Sequence, residues 1–304
     1  MALAFLFPGQ GSQSVAMMAE YGDAPVLKAT FDEASEYLGE DLWQMVAEGP
    51  AEKLAQTRNT QPVMLTASIA LWRLWNNTGG KSPDFLAGHS LGEYSALVAA
   101  GVISFKDAVP LTRFRAEAMQ NAVPDGIGAM AAVMGLADDW VIEVCQEAAQ
   151  SEVLEAVNFN ANGQVVVAGH KAAIERALPL FKAKGAKICK MLPVSAPFHS
   201  SLMQSAAERL KERLENVAFS KPQIPVVNNV DVRIETEPEK IKNALYRQAF
   251  HPVQWVKTMQ FLEEKGVNCA LECGPGKVLT GLVKRCVKGV AAHAFAADLA
   301  GELQ

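Results

Sequence analysis

Gly88-His89-Ser90-Leu91-Gly92 reads Gly-x-Ser-x-Gly, with the short apolar run 84–87 before it and the Ala/Leu-rich stretch 91–100 after it. The pattern therefore stands between a predicted strand and a predicted helix. At such a turn the serine backbone is strained, the hydroxyl points outward, and flanking glycines let neighbouring backbone pass. The next N–H lies at a helix N-terminus, where it can donate to a developing oxyanion. The stretch thus predicts an α/β fold with a nucleophilic Ser90.

Composition limits the class of protein. Half of the 304 residues are apolar, enough for a large core in one large domain or two ordinary ones. A net charge of −5 argues against a dedicated nucleic-acid binder. The five cysteines form no Cys-x-x-Cys pair, which is typical of free thiols in a reducing compartment. With no signal-like N-terminus and no membrane-spanning apolar stretch, we expect a cytoplasmic protein without membrane contact.

The order of predicted elements divides the chain. A first strand at 3–7, helices at 24–37 and 61–75, the strand at 84–87 and helices at 91–100 and 104–121 predict a buried parallel sheet. After Pro124-Asp125-Gly126 the order becomes β-α-β-β-α-β, the ferredoxin-like unit. We expect 126–194 to be an inserted subdomain, with 1–125 and 195–304 forming the main domain. We expect the last strand of the insert at 187–194. Further elements follow: helices at 200–217, 237–249 and 252–265, short strands at 224–229 and 267–272, a last helix to about 287, and a strand with a short helix in 289–300.

A nucleophilic serine needs a base, and His199 is the best of the five histidines. It stands in Pro193-Val194-Ser195-Ala196-Pro197-Phe198-His199-Ser200, a loop whose prolines fix the backbone. The alternative is that His199 caps the following helix. His89 lies beside the nucleophile, so its side chain should point away from that of Ser90.

Arg115 lies on the predicted helix 104–121. A guanidinium matches a carboxylate through two parallel hydrogen bonds, so an arginine at the site would suit an acyl group with a free acid end. Arg113 and Arg115 are two residues apart and cannot share a helix face; one should face solvent. From the residues alone, a surface salt bridge of Arg115 with Asp107 or Glu117 is the favoured alternative.

Several patterns fail to predict a cofactor or metal site. The glycines of 126–131 precede a strand, the reverse of the order in a dinucleotide fingerprint. Gly274-Pro275-Gly276-Lys277 lacks the spacing of a phosphate-binding Walker loop. No His, Cys and carboxylate cluster has the spacing of metal ligands. We therefore expect no metal and no tightly bound cofactor.

Four motifs occur in a recognisable order: Phe7-Pro8-Gly9-Gln10-Gly11-Ser12-Gln13, Gly88-His89-Ser90-Leu91-Gly92-Glu93, Pro197-Phe198-His199-Ser200 and Gly274-Pro275-Gly276. Together they resemble the malonyl-CoA:acyl carrier protein transacylase family over essentially the whole chain. The resemblance implies a hydrolase-like α/β domain with a central, mostly parallel sheet and an inserted ferredoxin-like subdomain. This architecture agrees with the element order above.

The resemblance also implies roles. Ser90 would be acylated, His199 would be the base, and Arg115 would hold the malonyl carboxylate, which reverses the salt-bridge interpretation. The family has no acidic third member, and a backbone carbonyl orients the histidine instead. The remaining implied residues are the oxyanion-hole amides of Gln10 and Leu91, the carbonyl of Gln248, and the substrate contacts Met119 and Asn160.

The implied reaction moves malonyl from malonyl-CoA to the phosphopantetheine thiol of acyl carrier protein in fatty acid synthesis, with the protein acting as a monomer. Ala116 departs from the glycine often found after the substrate arginine, and Phe198 resembles the malonyl-selective type. Acyl carrier proteins are acidic, so a docking patch should be basic. Candidates, which could equally be ordinary solvated cations, are Lys187, Lys190, Lys284, Arg285 and Lys288.

Three alternatives share these features. A serine esterase or thioesterase would release free acid without a thiol acceptor. A non-catalytic carrier-protein binding module would form no acyl-serine. A discrete acyltransferase of a polyketide synthase has the same chemistry, and the sequence does not separate it.

Overall fold

The computed structural model describes residues 2–194, 196–296 and 301. It contains two β-sheets. Their strands are β1 Ala2–Phe7, β2 Phe85–Gly88, β3 Gly128–Met134, β4 Leu154–Ala161, β5 Gln164–His170, β6 Ile188–Met191, β7 Val226–Val227, β8 Val267–Glu272 and β9 Ala291–Ala294. The helices are α1 Pro25–Leu38, α2 Leu42–Glu48, α3 Ala51–Ala55, α4 Thr57–Asn77, α5 Gly92–Ala99, α6 Phe105–Gln120, α7 Asp138–Ala149, α8 Lys171–Ala183, α9 Gln204–Glu215, α10 Pro238–Gln248, α11 Trp255–Glu264 and α12 Val278–Cys286.

The first sheet is parallel and has the strand order β7-β2-β1-β8-β9. Its central strand β1 is apolar on both faces because helices cover both sides. Leu3, Phe5 and Phe7 pack with α1 and α4, whereas Ala4 and Leu6 pack with α11 and α12. Since parallel strands end at one edge of a sheet, the loops after β1, β2, β7 and β8 meet there.

The second sheet is antiparallel, with the order β4-β5-β3-β6. Together with α7 and α8 it forms the β-α-β-β-α-β unit of ferredoxin-like folds. Alternate residues of its strands face opposite ways: Ala131 and Val167 pack with α7 and α8, and Met130 and Val166 pack with α6 and α9. The predicted fold class is confirmed. The boundaries at 126 and 194 stay a prediction.

Several predicted elements differ in length. The strand expected at 224–229 shrinks to Val226–Val227, and the one expected at 187–194 ends at Met191, shortly before Pro193, which lacks a donor for a sheet. The short helices α2 and α3 were not predicted. In the C-terminal stretch 289–300, β9 is present, and 297–300 lie outside the described residues. None of the helices in the described part combines the length and hydropathy that crossing a bilayer requires.

Candidate active site

Ser90 occupies a sharp turn between β2, which ends at Gly88, and α5, which begins at Gly92. Its φ is 52°, a left-handed conformation that non-glycine residues rarely adopt. A Cβ on Gly88 would lie 1.9 Å from the carbonyl carbon of Gly92, and one on Gly92 would lie 1.9 Å from the carbonyl oxygen of Phe7. Gly88 is therefore required for the end of β2 to lie against the start of α5, and Gly92 for the turn to pass so close to β1.

His199 contacts the serine. Its Nε2 lies 2.7 Å from Ser90 Oγ, and its Nδ1 lies 2.8 Å from the carbonyl oxygen of Gln248. Because a carbonyl can only accept, Nδ1 carries the hydrogen and Nε2 is left to accept one from the serine. The side chain thus does not cap the following helix. Burial, with Arg115 nearby, lowers the pKa of His199 to about 3, so the imidazole is neutral near pH 7.

Arg115 is 1% exposed and points into the same site. It donates to the amide oxygens of Gln61 at 2.7 Å and Gln248 at 2.9 Å, and to Ser90 Oγ at 3.2 Å. Its guanidinium also lies over the ring of Tyr94, 5.2 Å from the centroid. Within the described residues it makes no ion pair, so the predicted salt bridge with Asp107 or Glu117 is wrong. A buried cation with neutral partners can receive an anionic ligand.

The expectation that Arg113 or Arg115 faces solvent is also wrong. Arg113 is only 9% exposed and donates to both carboxylate oxygens of Glu40, at 2.7 and 3.2 Å. Glu40 follows α1, which packs against α6, and sequence spacing alone gives no sign of that contact.

The two expected amide donors flank the serine. Leu91 precedes the first residue of α5, and Gln10 lies in the loop after β1. That loop rests on the serine turn, since a Cβ on Gly9 would lie 2.6 Å from the carbonyl oxygen of His89. Across 2–194 and 196–296, neither the Gln10 N–H nor the Leu91 N–H has a hydrogen-bond acceptor. Two such unsatisfied donors near one hydroxyl fit an oxyanion hole.

Asn160 and Met119 form no hydrogen bond with Ser90, His199 or Arg115 within the described residues. The side-chain oxygen of Asn160 contacts His89 Nε2 at 2.7 Å, which also shows that His89 is turned away from the serine and toward β4. Met119 is buried on α6, in an apolar cluster with Phe198. The structure therefore brings Ser90, His199, Arg115 and Gln248 into direct contact, but not these two.

Three side chains that hold the site were missed. Asn229 accepts from the Ser90 N–H at 2.7 Å and donates to the Gly88 carbonyl oxygen at 2.7 Å. Glu93 contacts Asn229 and Gln248, and Gln61 contacts Arg115. The position of Asn229 at the end of the predicted strand 224–229 was a usable signal, because the ends of parallel strands share one sheet edge. For Glu93 we find no comparable signal.

A cleft of about 400 Å³ includes Gln10, one of the two expected amide donors, although Ser90, His199 and Arg115 do not line it. Its lining combines the loop after β1, the start of α4, the end of α6 and the segment before His199, and includes Gln10, Thr57, Gln120 and Val194. A metal-binding cluster of His, Cys, Asp or Glu is absent from the described part of the chain. The arrangement provides a hydroxyl, a neutral base, amide donors and a buried cation.

Comparison with known proteins decides the family. A model described as acyl transferase domain matches residues 4–304. The chain belongs to this acyl transferase family. It is 54% identical over 293 residues to the malonyl CoA-acyl carrier protein transacylase of Salmonella typhimurium, covering 96% of this chain and 95% of that one.

Solved structures of the family agree in fold. An acyl-carrier-protein S-malonyltransferase from Burkholderia pseudomallei superimposes with a TM-score of 0.97 at 54% identity, covering 100% of this chain and 99% of that one. A malonyl-transacylase in complex with a type II polyketide synthase acyl-carrier protein gives a TM-score of 0.98 at 50% identity, with 100% of both chains covered.

Proposed function

We propose that this acyltransferase moves a malonyl group from malonyl-CoA to the phosphopantetheine thiol of acyl carrier protein. One observation carries the proposal: Ser90 Oγ lies 2.7 Å from the His199 base and 3.2 Å from the Arg115 guanidinium. In a malonyl thioester, a single methylene separates the carbonyl to be attacked from the free carboxylate. A nucleophile that touches both a base and a carboxylate-binding cation fits that spacing.

The first half-reaction acylates the serine. His199 Nε2 takes the hydroxyl proton as Ser90 Oγ attacks the thioester carbonyl. The N–H groups of Gln10 and Leu91 donate to the resulting oxyanion, each contributing on the order of a hundredfold in rate. The carbon–sulfur bond then breaks, CoA leaves with the proton from His199, and a malonyl ester remains on Ser90.

The second half-reaction reverses these steps with another thiol. His199 accepts the proton of the phosphopantetheine thiol, whose sulfur attacks the ester carbonyl through the same oxyanion site. The carbon–oxygen bond to Ser90 breaks, and the serine recovers its proton. The Gln248 carbonyl keeps the Nδ1 hydrogen in place through both steps, so no acidic third residue is needed.

Arg115 selects the acyl group. Its neutral partners Gln61 and Gln248 can yield to a substrate carboxylate, which would form a charge-assisted pair with the guanidinium. An acetyl group offers no such partner and leaves the buried cation poorly compensated. The relatives from Salmonella typhimurium, Escherichia coli and Haemophilus influenzae are each named malonyl CoA-acyl carrier protein transacylase, which supports malonyl as the acyl group.

For docking of the acidic carrier protein we propose the exposed cations on β6 and α12. The turn between β4 and β5 links the two elements: Asn162 donates to the Arg285 carbonyl at 3.1 Å, and Lys187 lies against Gly135 beside Gly163. The proposed patch consists of Lys187, Lys190, Lys284, Arg285 and Lys288, all exposed.

We further infer that the protein is a monomer that works in the cytoplasm without a tightly bound cofactor. We also infer that it consists of a main domain, 1–125 and 195–304, and the insert 126–194.

A two-acceptor assay tests the function. The protein is mixed with malonyl-CoA and, in separate reactions, with a fatty acid synthase or a polyketide synthase carrier protein bearing phosphopantetheine. Malonyl-carrier and free malonate are followed together, and Ser90→Ala is the control. We expect transfer to exceed release of malonate, and Ser90→Ala to abolish transfer. Dominant release of malonate would identify a thioesterase, and transfer only to a polyketide carrier protein would reassign the acceptor.

A further inference from the structure

Glu93 is a buried carboxylate that the mechanism above does not use. It lies in the first turn of α5, three residues after the nucleophile, and is 2% exposed. Within the described chain it forms no ion pair. Its Oε2 instead accepts from the side-chain amide of Gln248 at 2.8 Å and from the backbone N–H of Asn229 at 3.0 Å. Burial of a carboxylate is costly, so its retention beside the nucleophile calls for a physical reason.

The amide of Gln248 connects Glu93 to the substrate-binding cation. Its Nε2 donates to Glu93 Oε2 and, at 3.0 Å, to the Ser90 carbonyl oxygen. Its Oε1 accepts from Arg115 at 2.9 Å. Since a guanidinium only donates and the two oxygens facing Nε2 accept, one orientation of the amide satisfies all of them. Glu93 therefore acts together with the Ser90 carbonyl to keep the oxygen end of Gln248 facing Arg115.

The amide of Gln248 lies between Glu93 and Arg115, and this arrangement affects how Arg115 can bind a substrate. A carboxylate directly on Arg115 would occupy the guanidinium edge that a substrate carboxylate needs. If no negative charge lay nearby, the buried Arg115 cation would be destabilised. Burial raises the pKa of Glu93 to about 7. In its ionised form Glu93, one amide away, supplies negative charge while Arg115 keeps neutral, displaceable partners.

We propose that Glu93 is a positioning residue for malonyl selection: through Gln248 it orients and balances Arg115 without occupying its carboxylate-binding edge. The inference rests on the proposed function. The same carboxylate oxygen also holds Asn229, whose side chain holds the Ser90 N–H, so one group aligns the nucleophile with the cation.

The test compares acylation of Ser90 by malonyl-CoA and by acetyl-CoA. In Glu93→Gln we expect the malonyl-to-acetyl ratio of kcat/KM to fall at least about tenfold, mainly through a higher KM for malonyl-CoA, while acetyl-CoA changes less than about threefold. The matched control is Glu272→Gln. Glu272 is 1% exposed and accepts from Leu279 and Thr280, away from Arg115, so its loss should keep the ratio.

A second variant distinguishes an effect of where the negative charge lies from an effect of lost protein stability. Glu93→Gln combined with Gln248→Glu keeps one carboxylate and one amide but places the carboxylate against Arg115. We expect this double variant to accept acetyl-CoA and to lose malonyl selection at least as fully as Glu93→Gln. Malonyl selection equal to wild type in the double variant would overturn the proposal, as would equal slowing of both acyl groups in Glu93→Gln. If neither variant folds, Glu93 is structural and the proposal is also overturned.

The measurement on the wild-type protein distinguishes failure of the Glu93 proposal from failure of the proposed function. If wild-type protein forms no malonyl ester on Ser90, the proposed function fails. If the ester forms and the variants keep the wild-type ratio, only the role of Glu93 fails.

Discussion

The two sheets contribute differently to the site. The parallel sheet supplies residues at the ends of its strands: Gln10 follows β1, Ser90 follows β2 and Asn229 follows β7. From the antiparallel sheet, the side-chain oxygen of Asn160 contacts His89, and the loop beyond β6 leads to His199. The proposed nucleophile and its proposed amide donors thus follow buried parallel strands, whereas the antiparallel sheet reaches the serine turn through His89. We therefore expect changes near the parallel sheet to slow chemistry, and changes on the antiparallel sheet to affect the acceptor.

The largest effect should come from Gly92→Ala, a substitution where the serine turn lies against β1 of the parallel sheet. The new methyl would lie 1.9 Å from the carbonyl oxygen of Phe7, so β1 and the serine turn cannot both keep their positions. We expect the rate of Ser90 malonylation to fall on the order of a thousandfold as the oxyanion donors move apart. Stopped-flow acylation and thermal unfolding measure the effect.

Gly281→Ala is the matched control for that change. Gly281 lies in α12 with no atom within 4 Å of an added methyl. We expect unchanged acylation and a stability gain of up to about 1 kcal/mol. If Gly92→Ala and Gly281→Ala had the same acylation rate and the same thermal stability, the close contact between the serine turn and β1 would be contradicted.

Arg115→Ala should have the next largest effect, and only on the choice of acyl group. Removing the guanidinium deletes the partner of the malonyl carboxylate, so we expect the malonyl-to-acetyl ratio of kcat/KM to drop about a hundredfold or more. Arg113→Ala removes a neighbouring, largely buried arginine that pairs with Glu40, and should leave the ratio unchanged. A drop in both variants would assign the effect to α6 stability.

The pH dependence of acylation by acetyl-CoA should be weak. Because burial and Arg115 lower the pKa of His199 to about 3, well below the usual value near 6.5, the base stays neutral on moderate acidification. We expect kcat/KM for acetyl-CoA to vary less than about threefold between roughly pH 5 and 8. A steep decline on acidification through pH 6.5 would mean that His199 titrates like a solvated histidine.

The smallest effect on chemistry should come from the antiparallel sheet. Lys187→Glu with Lys190→Glu reverses two exposed charges on and beside the edge strand β6. We expect transfer to the carrier protein to weaken about tenfold at low salt, with acylation by malonyl-CoA unchanged. Equal losses in both half-reactions would place carrier-protein docking elsewhere. They would also contradict the expectation that changes on the antiparallel sheet affect only the acceptor.

Local patterns predicted much of the architecture. Gly-x-Ser-x-Gly between strand and helix located Ser90, and alternation of strands and helices separated the parallel from the antiparallel part. Family resemblance was needed for Arg115 and for the Gln248 carbonyl, because spacing on α6 favoured a salt bridge that the structure does not contain. Contacts such as Arg113 with Glu40 depend on how distant helices pack, which periodicity does not encode.

The hydrogen-bonding network around the site was the least predictable part. Glu93 reads in sequence as an ordinary first-turn acid of a helix. Its role depends on α10 bringing Gln248 and the end of β7 bringing Asn229 to one carboxylate oxygen. Such polar networks are properties of the packed structure.

The most direct test is the mass of the protein after brief mixing with malonyl-CoA in the absence of any acceptor thiol, followed by peptide mapping. The account predicts one added malonyl group, located on Ser90, that disappears when carrier protein bearing phosphopantetheine is added. No adduct, or an adduct on another residue that persists in Ser90→Ala, would contradict it.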